Sequence, residues 1–420
     1  MKSRTKCTKL VVIFLLVNLI FLSNFQFVFA SDTTNDKPNI VSEAALLLEN
    51  RTEKILYNKN ENKKMYPAST TKIVTALLTL ENCKLDDEVT VSYASAMSIP
   101  DGYSTAYLQI GEKLTVEQLL KLLLVHSAND AANVLAEHVG GSIESFISMM
   151  NTKVNELGLH NTHFTNTFGM HDENHYTTAS DLAVIFRNCI KNDDFRKIAG
   201  LASCSISATN RYGPRSYTST NELIIPNNSN YYKYLTCGKT GYTKEAGDCL
   251  VSCAYKDDLE LVCVILGGKK VNGTSSRFSE TKALHEYGFN NFSNKTILNQ
   301  HDVVTNIEVK NGTSDTKKID LLEDTEIKGL LKNDISIDNL KPEITLNNDI
   351  KAPIEENDVL GHITYEIDGI KYKADLIASH QVKKSYLFII IVGIGIAILF
   401  VAIVILMKSS KKKRKIKNKK

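Results

Sequence analysis

Tyr386 to Met407 is an unbroken apolar stretch of 22 residues, and Lys408, Lys411, Lys412, Lys413, Arg414, Lys415, Lys417, Lys419 and Lys420 follow it. Such a run is long enough to cross a bilayer as a helix. The basic tail after it, residues 408–420, stays on the cytoplasmic side by the positive-inside rule. Everything before residue 386 must therefore fold on the other face, as an ectodomain tethered by its C-terminal end. The start of the chain agrees: Lys2, Arg4, Lys6 and Lys9 precede an apolar run from Leu10 to Leu22, and Val28-Phe29-Ala30 offers small or branched residues where a signal peptidase reads. Residues 1–30 are read as an export signal cleaved after Ala30, with an uncleaved anchor as the alternative.

This division changes the meaning of the charge. The whole chain carries a formal +3, but four of its 50 basic residues lie in the leader and nine in the tail. Residues 31–385 thus hold 37 basic against 47 acidic side chains, a net charge of −10. An acidic ectodomain argues against nucleic acid as a partner, and it leaves the apolar helix, not a polybasic surface, as the tie to the membrane. Of eight cysteines, Cys7 leaves with the leader. The remaining seven are irregularly spaced with no Cys-x-x-Cys pair, so they read as small buried apolar residues and not as a disulfide framework or a zinc ribbon.

Three short motifs carry the chemistry. Ser69-Thr70-Thr71-Lys72 follows Pro67-Ala68 and opens an apolar stripe of Ile73, Val74, Leu77, Leu78 and Leu80; Ser127-Ala128-Asn129 and Lys239-Thr240-Gly241 come later. Ser-x-x-Lys also occurs at Ser3, Ser279, Ser314, Ser409 and Ser410, and Ser-x-Asn at Ser219, but Lys-Thr-Gly occurs once. On an α-helix Ser69 and Lys72 share a face, so the amine reaches the hydroxyl. A serine is a poor nucleophile at neutral pH, and a lysine deprotonates it only when burial or a nearby cation lowers its own pKa. Lys239 is a candidate for that cation. The N–H groups of the first helical turn, that of Ser69 among them, would face a developing oxyanion.

The coarse pattern is strands, then helices, then strands. Ala44 to Leu48 and Lys54 to Tyr57 predict a hairpin, and Thr115 with Gln118 predicts a capping box opening a helical region to Leu157 with helices near 130–139 and 142–157. Cys249 to Cys253 and Leu259 to Leu266 predict strands around Lys256-Asp257-Asp258, with Lys239-Thr240-Gly241 on the strand before them. This is an α+β domain, helices against an antiparallel sheet. From residue 293 to 380, short alternating segments (Val303 to Val309, Glu343 to Leu346, His362 to Ile367) and the Asn311-Gly312 and Asp368-Gly369 turns predict a separate β domain.

Over most of its exported length the sequence resembles the low-molecular-mass penicillin-binding proteins that act as serine-type D-alanyl-D-alanine carboxypeptidases. The three motifs carry the likeness, together with Ser127 to Ala132, His175 to Ala183, Gly238 to Thr243, and Asp358-Val359-Leu360-Gly361 with Asp368-Gly369. The resemblance implies a β-lactamase/transpeptidase-like catalytic domain at 31–292 and a β-rich stalk at 293–380, which the apolar run, read as a transmembrane helix at 386–407, would anchor in a bacterial cell membrane. It implies Ser69 as nucleophile, Lys72 as general base and Ser127 as proton relay. Asn129, Lys239, Thr240, Gly241 and Tyr242 are implied as the substrate-binding set, acting on peptidoglycan stem peptides, with β-lactams as inhibitors and no cofactor. Many members end in an amphipathic surface helix where this chain has a true span. The rival readings are a β-lactamase and a non-hydrolytic β-lactam sensor. The cluster His171, Asp172, Glu173 and His175 lacks metal-ligand spacing, and His126 beside Ser127 reads as the end of a packed helix. Cys237, two residues before Lys239, has no expected role in the chemistry.

Overall fold

The computed structural model describes residues 37–417 apart from 98, 101 and 272; the expected export signal lies outside them. Strands β1 (Ala44–Glu49) and β2 (Ile55–Lys59) form the first hairpin. A 3-10 turn at Ala68–Thr71 leads into α1 (Lys72–Asn82). Next come α2 (Val116–Lys121), a single π-helical turn at Leu122–His126, α3 (Asn129–Gly140), α4 (Ile143–Glu156), α5 (Ala179–Cys189) and α6 (Asp193–Ala199). The chain returns through β3 (Leu235–Thr243), β4 (Gly247–Lys256) and β5 (Leu259–Gly268), then α7 (Ser276–Asn291). The five strands form one antiparallel sheet in the order β2-β1-β5-β4-β3, with β3 on an edge.

Strand alternation decides what each face covers. Leu46, Leu48, Val251, Val262, Val264 and Leu266 point to one side and join Ile73, Leu77, Ala131, Leu135, Leu182 and Phe186 of α1, α3 and α5 in the main core. Leu47, Leu250, Ser252, Cys263 and Ile265 point to the other, where Ser252 Oγ lies 3.1 Å from His285 Nε2 on α7. The helix starts follow local chemistry. Thr115 and Gln118 form the expected reciprocal cap, at 3.2 and 2.9 Å. Ser142, Thr178 and Asn192 accept N–H groups from the first turns of α4, α5 and α6.

Helix α7 runs directly into β6 (Phe292–Leu298), which pairs with β9 (Ile327–Lys332). A second sheet, in the order β7-β8-β12-β11-β10, is built from β7 (Val303–Glu308), β8 (Lys318–Glu323), β10 (Glu343–Leu346), β11 (Val359–Ile367) and β12 (Ile370–Ala378). It has its own core, including Ile319, Leu321, Leu331, Ile363 and Leu376. The β11–β12 hairpin turns at Asp368 and Gly369, with φ of 51° and 81°, as a type I′ turn requires. Lys54 in the first hairpin pairs with Asp368 at 2.5 Å, and Arg51 donates to Asn294 Oδ1 at 2.7 Å, so the two domains touch through that hairpin. The last element, α8 (Leu387–Lys417), contains a 23-residue segment, Leu387–Ser409, that is apolar enough to cross a membrane and is not buried against the rest of the protein. At about 1.5 Å per residue it is long enough for a bilayer core.

Candidate active site

Ser69 does not sit on an α-helix as its spacing suggested. It lies in the 3-10 turn, where residues three apart eclipse one another, and Lys72 is the first residue of α1. The pairing therefore survives in a tighter form. Lys72 Nζ lies 2.8 Å from Ser69 Oγ, 2.5 Å from Asn129 Oδ1 and 3.2 Å from the Phe168 carbonyl oxygen. The Lys72 side chain has no exposed surface. Burial first, and then the charge of Lys239, hold its amine well below the usual lysine range, against a smaller opposing pull from Asp130.

Ser127 and Asn129 come from the break between the π-helical turn and α3. Ser127 takes a left-handed conformation, φ 65°, which interrupts the helical path, and Ala68 beside Ser69 is also left-handed at φ 48°. Such conformations in non-glycine residues are held only by the structure around them. Asp130 helps supply it: its carboxylate accepts N–H groups from Ala106 and Leu108 at 3.0 to 3.1 Å, and Ser104 O accepts the Asn129 N–H at 2.9 Å. The segment Tyr103 to Leu108 is thereby fixed as one wall of the site.

The third motif occupies edge strand β3. Lys239, 1% exposed, donates to Ser127 Oγ at 3.0 Å and to the Thr240 carbonyl at 2.9 Å. Burial, with the Arg277 guanidinium adding to it, brings its amine down to about 7. Thr240 Oγ1 lies 2.5 Å from Thr220 Oγ1. A Cβ on Gly241 would stand 2.9 Å from both the Pro67 carbonyl oxygen and the Ser69 nitrogen, so only glycine lets β3 run against the Ser69 turn. Arg277 on α7 holds this stretch from behind, donating to Gly241 O at 2.9 Å and facing Asp248 at 3.3 Å. Tyr242 is 59% exposed and forms a rim. A cleft of about 380 Å³ opens over Ser69, lined also by Tyr103, Ser104, Asn129, Tyr242 and Glu245.

Of the eight residues singled out in the sequence, Ser69, Asn129 and Tyr242 line this cleft; behind them Lys72 bonds to Ser69 and Asn129, Lys239 ties Ser127 to Thr240, and Gly241 packs on the Ser69 turn. Several neighbours were not foreseen. The Phe168 carbonyl is aimed at Lys72 by a turn in which Asn166 Oδ1 accepts the N–H groups of Gly169 and Met170, at 2.7 and 2.9 Å. Thr220 belongs to the second Ser-x-Asn copy, at Ser219, which read as incidental and lies against the third motif. Arg277 carried no local signal. His175 is buried and brought down to about 3 by burial. Its Nδ1 accepts the Thr165 N–H at 3.0 Å and its Nε2 faces Thr71 Oγ1 at 2.8 Å, so both ring nitrogens are spent on holding the turn below Ser69. His126 Nε2 lies 3.2 Å from the Thr105 carbonyl, at the end of the π-helical turn. The seven cysteines from Cys83 to Cys263 are free, and Cys237 is wholly buried.

A buried lysine held well below the usual lysine range against a serine, and a second buried lysine against a second serine, is an arrangement for acyl transfer. Comparison with known proteins gives the same class. Residues 31–270 match the peptidase S11 family, D-alanyl-D-alanine carboxypeptidase, and residues 292–384 match the C-terminal domain of penicillin-binding protein 5. The chain belongs to the D-alanyl-D-alanine carboxypeptidase family. It is a serine-type D-Ala-D-Ala carboxypeptidase similar to penicillin-binding protein 5. The carboxypeptidase is 31% identical to D-alanyl-D-alanine carboxypeptidase DacF of Bacillus subtilis over 88% of this chain and 94% of that one. Its fold is similar to that of penicillin-binding protein 5 from Haemophilus influenzae, with a TM-score of 0.63 and 26% identity over 83% of this chain and 99% of that one. It is also similar to a peptidoglycan synthesis regulatory factor, PBP3, from Streptococcus pneumoniae, with a TM-score of 0.67 and 25% identity over 82% and 100% of the two chains. The carboxypeptidase thus shares both its folded domains with relatives, and family membership implies a peptidoglycan peptide as substrate.

Proposed function

We propose that this carboxypeptidase removes the terminal D-alanine of peptidoglycan stem pentapeptides through an acyl-enzyme on Ser69. The neutral Lys72 amine takes the Ser69 proton as Oγ attacks the carbonyl between the two terminal D-alanines. The backbone N–H groups of Ser69 and Tyr242 receive the oxyanion, in the space that Gly241 leaves open. Ser127 passes a proton to the departing D-alanine amine, Asn129 orients the substrate amide, and Lys239 with Thr240 holds the terminal carboxylate. Water then attacks the ester carbonyl, the acyl–oxygen bond breaks, and Oγ recovers its proton.

The observation that carries this reading is the pair of buried amines, each within 3.0 Å of a different serine hydroxyl. One is held neutral enough to act as a base. The other lies on the edge strand that faces the cleft, where a carboxylate can meet it. A β-lactam presents a carbonyl and a carboxylate at similar separation, so it is expected to acylate Ser69 and stay bound. The apolar α8 helix supports a single membrane crossing at the C-terminal end, with the catalytic domain on the extracytoplasmic side of a bacterial membrane. Mass spectrometry of pentapeptide stems incubated with the enzyme tests the function: a mass loss of one alanine is expected. Intact pentapeptide together with hydrolysed penicillin would instead identify a β-lactamase. Intact pentapeptide with stable acylation would identify a sensor.

A further inference from the structure

The far ends of α1 and α3 from the Ser69 cleft bring together three side chains for which the peptidase reaction has no use. Cys83 is the residue that ends α1, Asp87 closes the turn that follows, and His138 lies in the last turn of α3. One donor atom from each, a thiol sulfur, a carboxylate oxygen and an imidazole nitrogen, falls within 4.8 Å of the other two. The Asp87 carboxylate is already oriented, because its Oδ2 accepts the Lys84 N–H at 2.8 Å. Cys83 and His138 are half-buried and exposed respectively, so an ion has a path in from solvent.

A thiolate, an imidazole and a carboxylate form a donor set for a borderline-soft divalent ion of the zinc class, with water as the fourth tetrahedral ligand. Calcium and magnesium prefer all-oxygen surroundings and are disfavoured by the sulfur. We propose that Cys83, Asp87 and His138 form a zinc-class metal site that ties the C-terminal end of α1 to that of α3. On binding, the Cys83 thiol gives its proton to solvent as the metal–sulfur bond forms, with no change of oxidation state. Lys72 is the first residue of α1 and Asn129 the first of α3. The ion would therefore clamp, from their far ends, the two helices that aim catalytic groups. Its role is structural, and it stabilises the folded state by mass action.

The test uses the metal-stripped full-length protein in detergent, titrated with cobalt(II) chloride and then zinc chloride. One cobalt per chain is expected, with a thiolate-to-metal charge-transfer band that zinc abolishes, and zinc should raise the melting temperature. Cys83→Ser and His138→Ala should each weaken binding by more than about tenfold, the loss typical even of residues that only support a ligand. Covalent penicillin labelling of the metal-free variants should be unchanged, which checks their folding. Asp87→Asn keeps an acceptor for the Lys84 N–H and should still weaken binding, so it serves if either other variant fails to label. A missing thiolate band, or binding that survives Cys83→Ser and His138→Ala, overturns the site.

Discussion

Lys72 and Lys239 are both buried amines in one cleft, yet the proposed chemistry asks opposite things of them. Lys72 must lose its proton to act as a base, whereas Lys239 must keep one to hold a carboxylate. Lys72→Arg should abolish acylation, by at least the ~10²-fold that general-base catalysis contributes, because a guanidinium stays protonated. Lys239→Arg should retain part of the activity, since charge is preserved; equal loss in both variants, measured as acylation rate, would contradict the division. The pH dependence follows with a definite sign. Activity rises with pH as Lys72 deprotonates, at a value well below the ordinary lysine range. It falls as Lys239 loses its proton above about 7. A bound carboxylate favours charged Lys239, so the alkaline limb of kcat should lie at higher pH than that of kcat/KM. Coincident limbs would mean that Lys239 does not meet the carboxylate.

At the scale of elements, strand β3 and the Ser69 turn are held in contact by a missing side chain. Gly241→Ala would place a methyl 2.9 Å from the Ser69 nitrogen. Acylation should drop by about 10²–10³-fold, the cost of losing one oxyanion donor, while the melting transition stays cooperative. Glu323 on β8 is fully buried, and neither of its carboxylate oxygens has a hydrogen-bond partner among the described residues. Burial, then Asp324 and Asp302, push it from near 4.5 up to about 7. A carboxyl raised in the folded state contributes stability that is fully present below about 4.5 and is lost as pH rises through about 7. Glu323→Gln should remove that slope from thermal melts over this range; a slope that persists would assign it elsewhere. The elements legible in the sequence were those with period or punctuation. The Thr115–Gln118 cap, the Asp368-Gly369 turn and the apolar strands β4 and β5 could be read directly. Helix α7 could not, because its residues face both the sheet and solvent with little periodicity. The Phe168 carbonyl and Arg277 were invisible for another reason: one acts through its backbone, and the other reaches the site only once the sheet has formed. Thr220 stood in a motif copy that only the fold could make meaningful.

For the whole molecule, catalysis and anchoring occupy different parts of the chain. None of the three motifs lies in the β domain or in α8. Removing residues 386–420 should therefore release an active, soluble protein. If the truncated chain stays with the membrane fraction, the N-terminal segment is an uncleaved anchor; if it is folded but inactive, the C-terminal helix contributes to catalysis. On the proposed mechanism Ser69, activated by Lys72, is the residue acylated. Peptide mapping of the full-length protein after reaction with a fluorescent penicillin tests it most directly. A covalent adduct on the peptide containing Ser69, absent from Ser69→Ala, is the predicted result, and an adduct on any other residue, or label retained by Ser69→Ala, would contradict it.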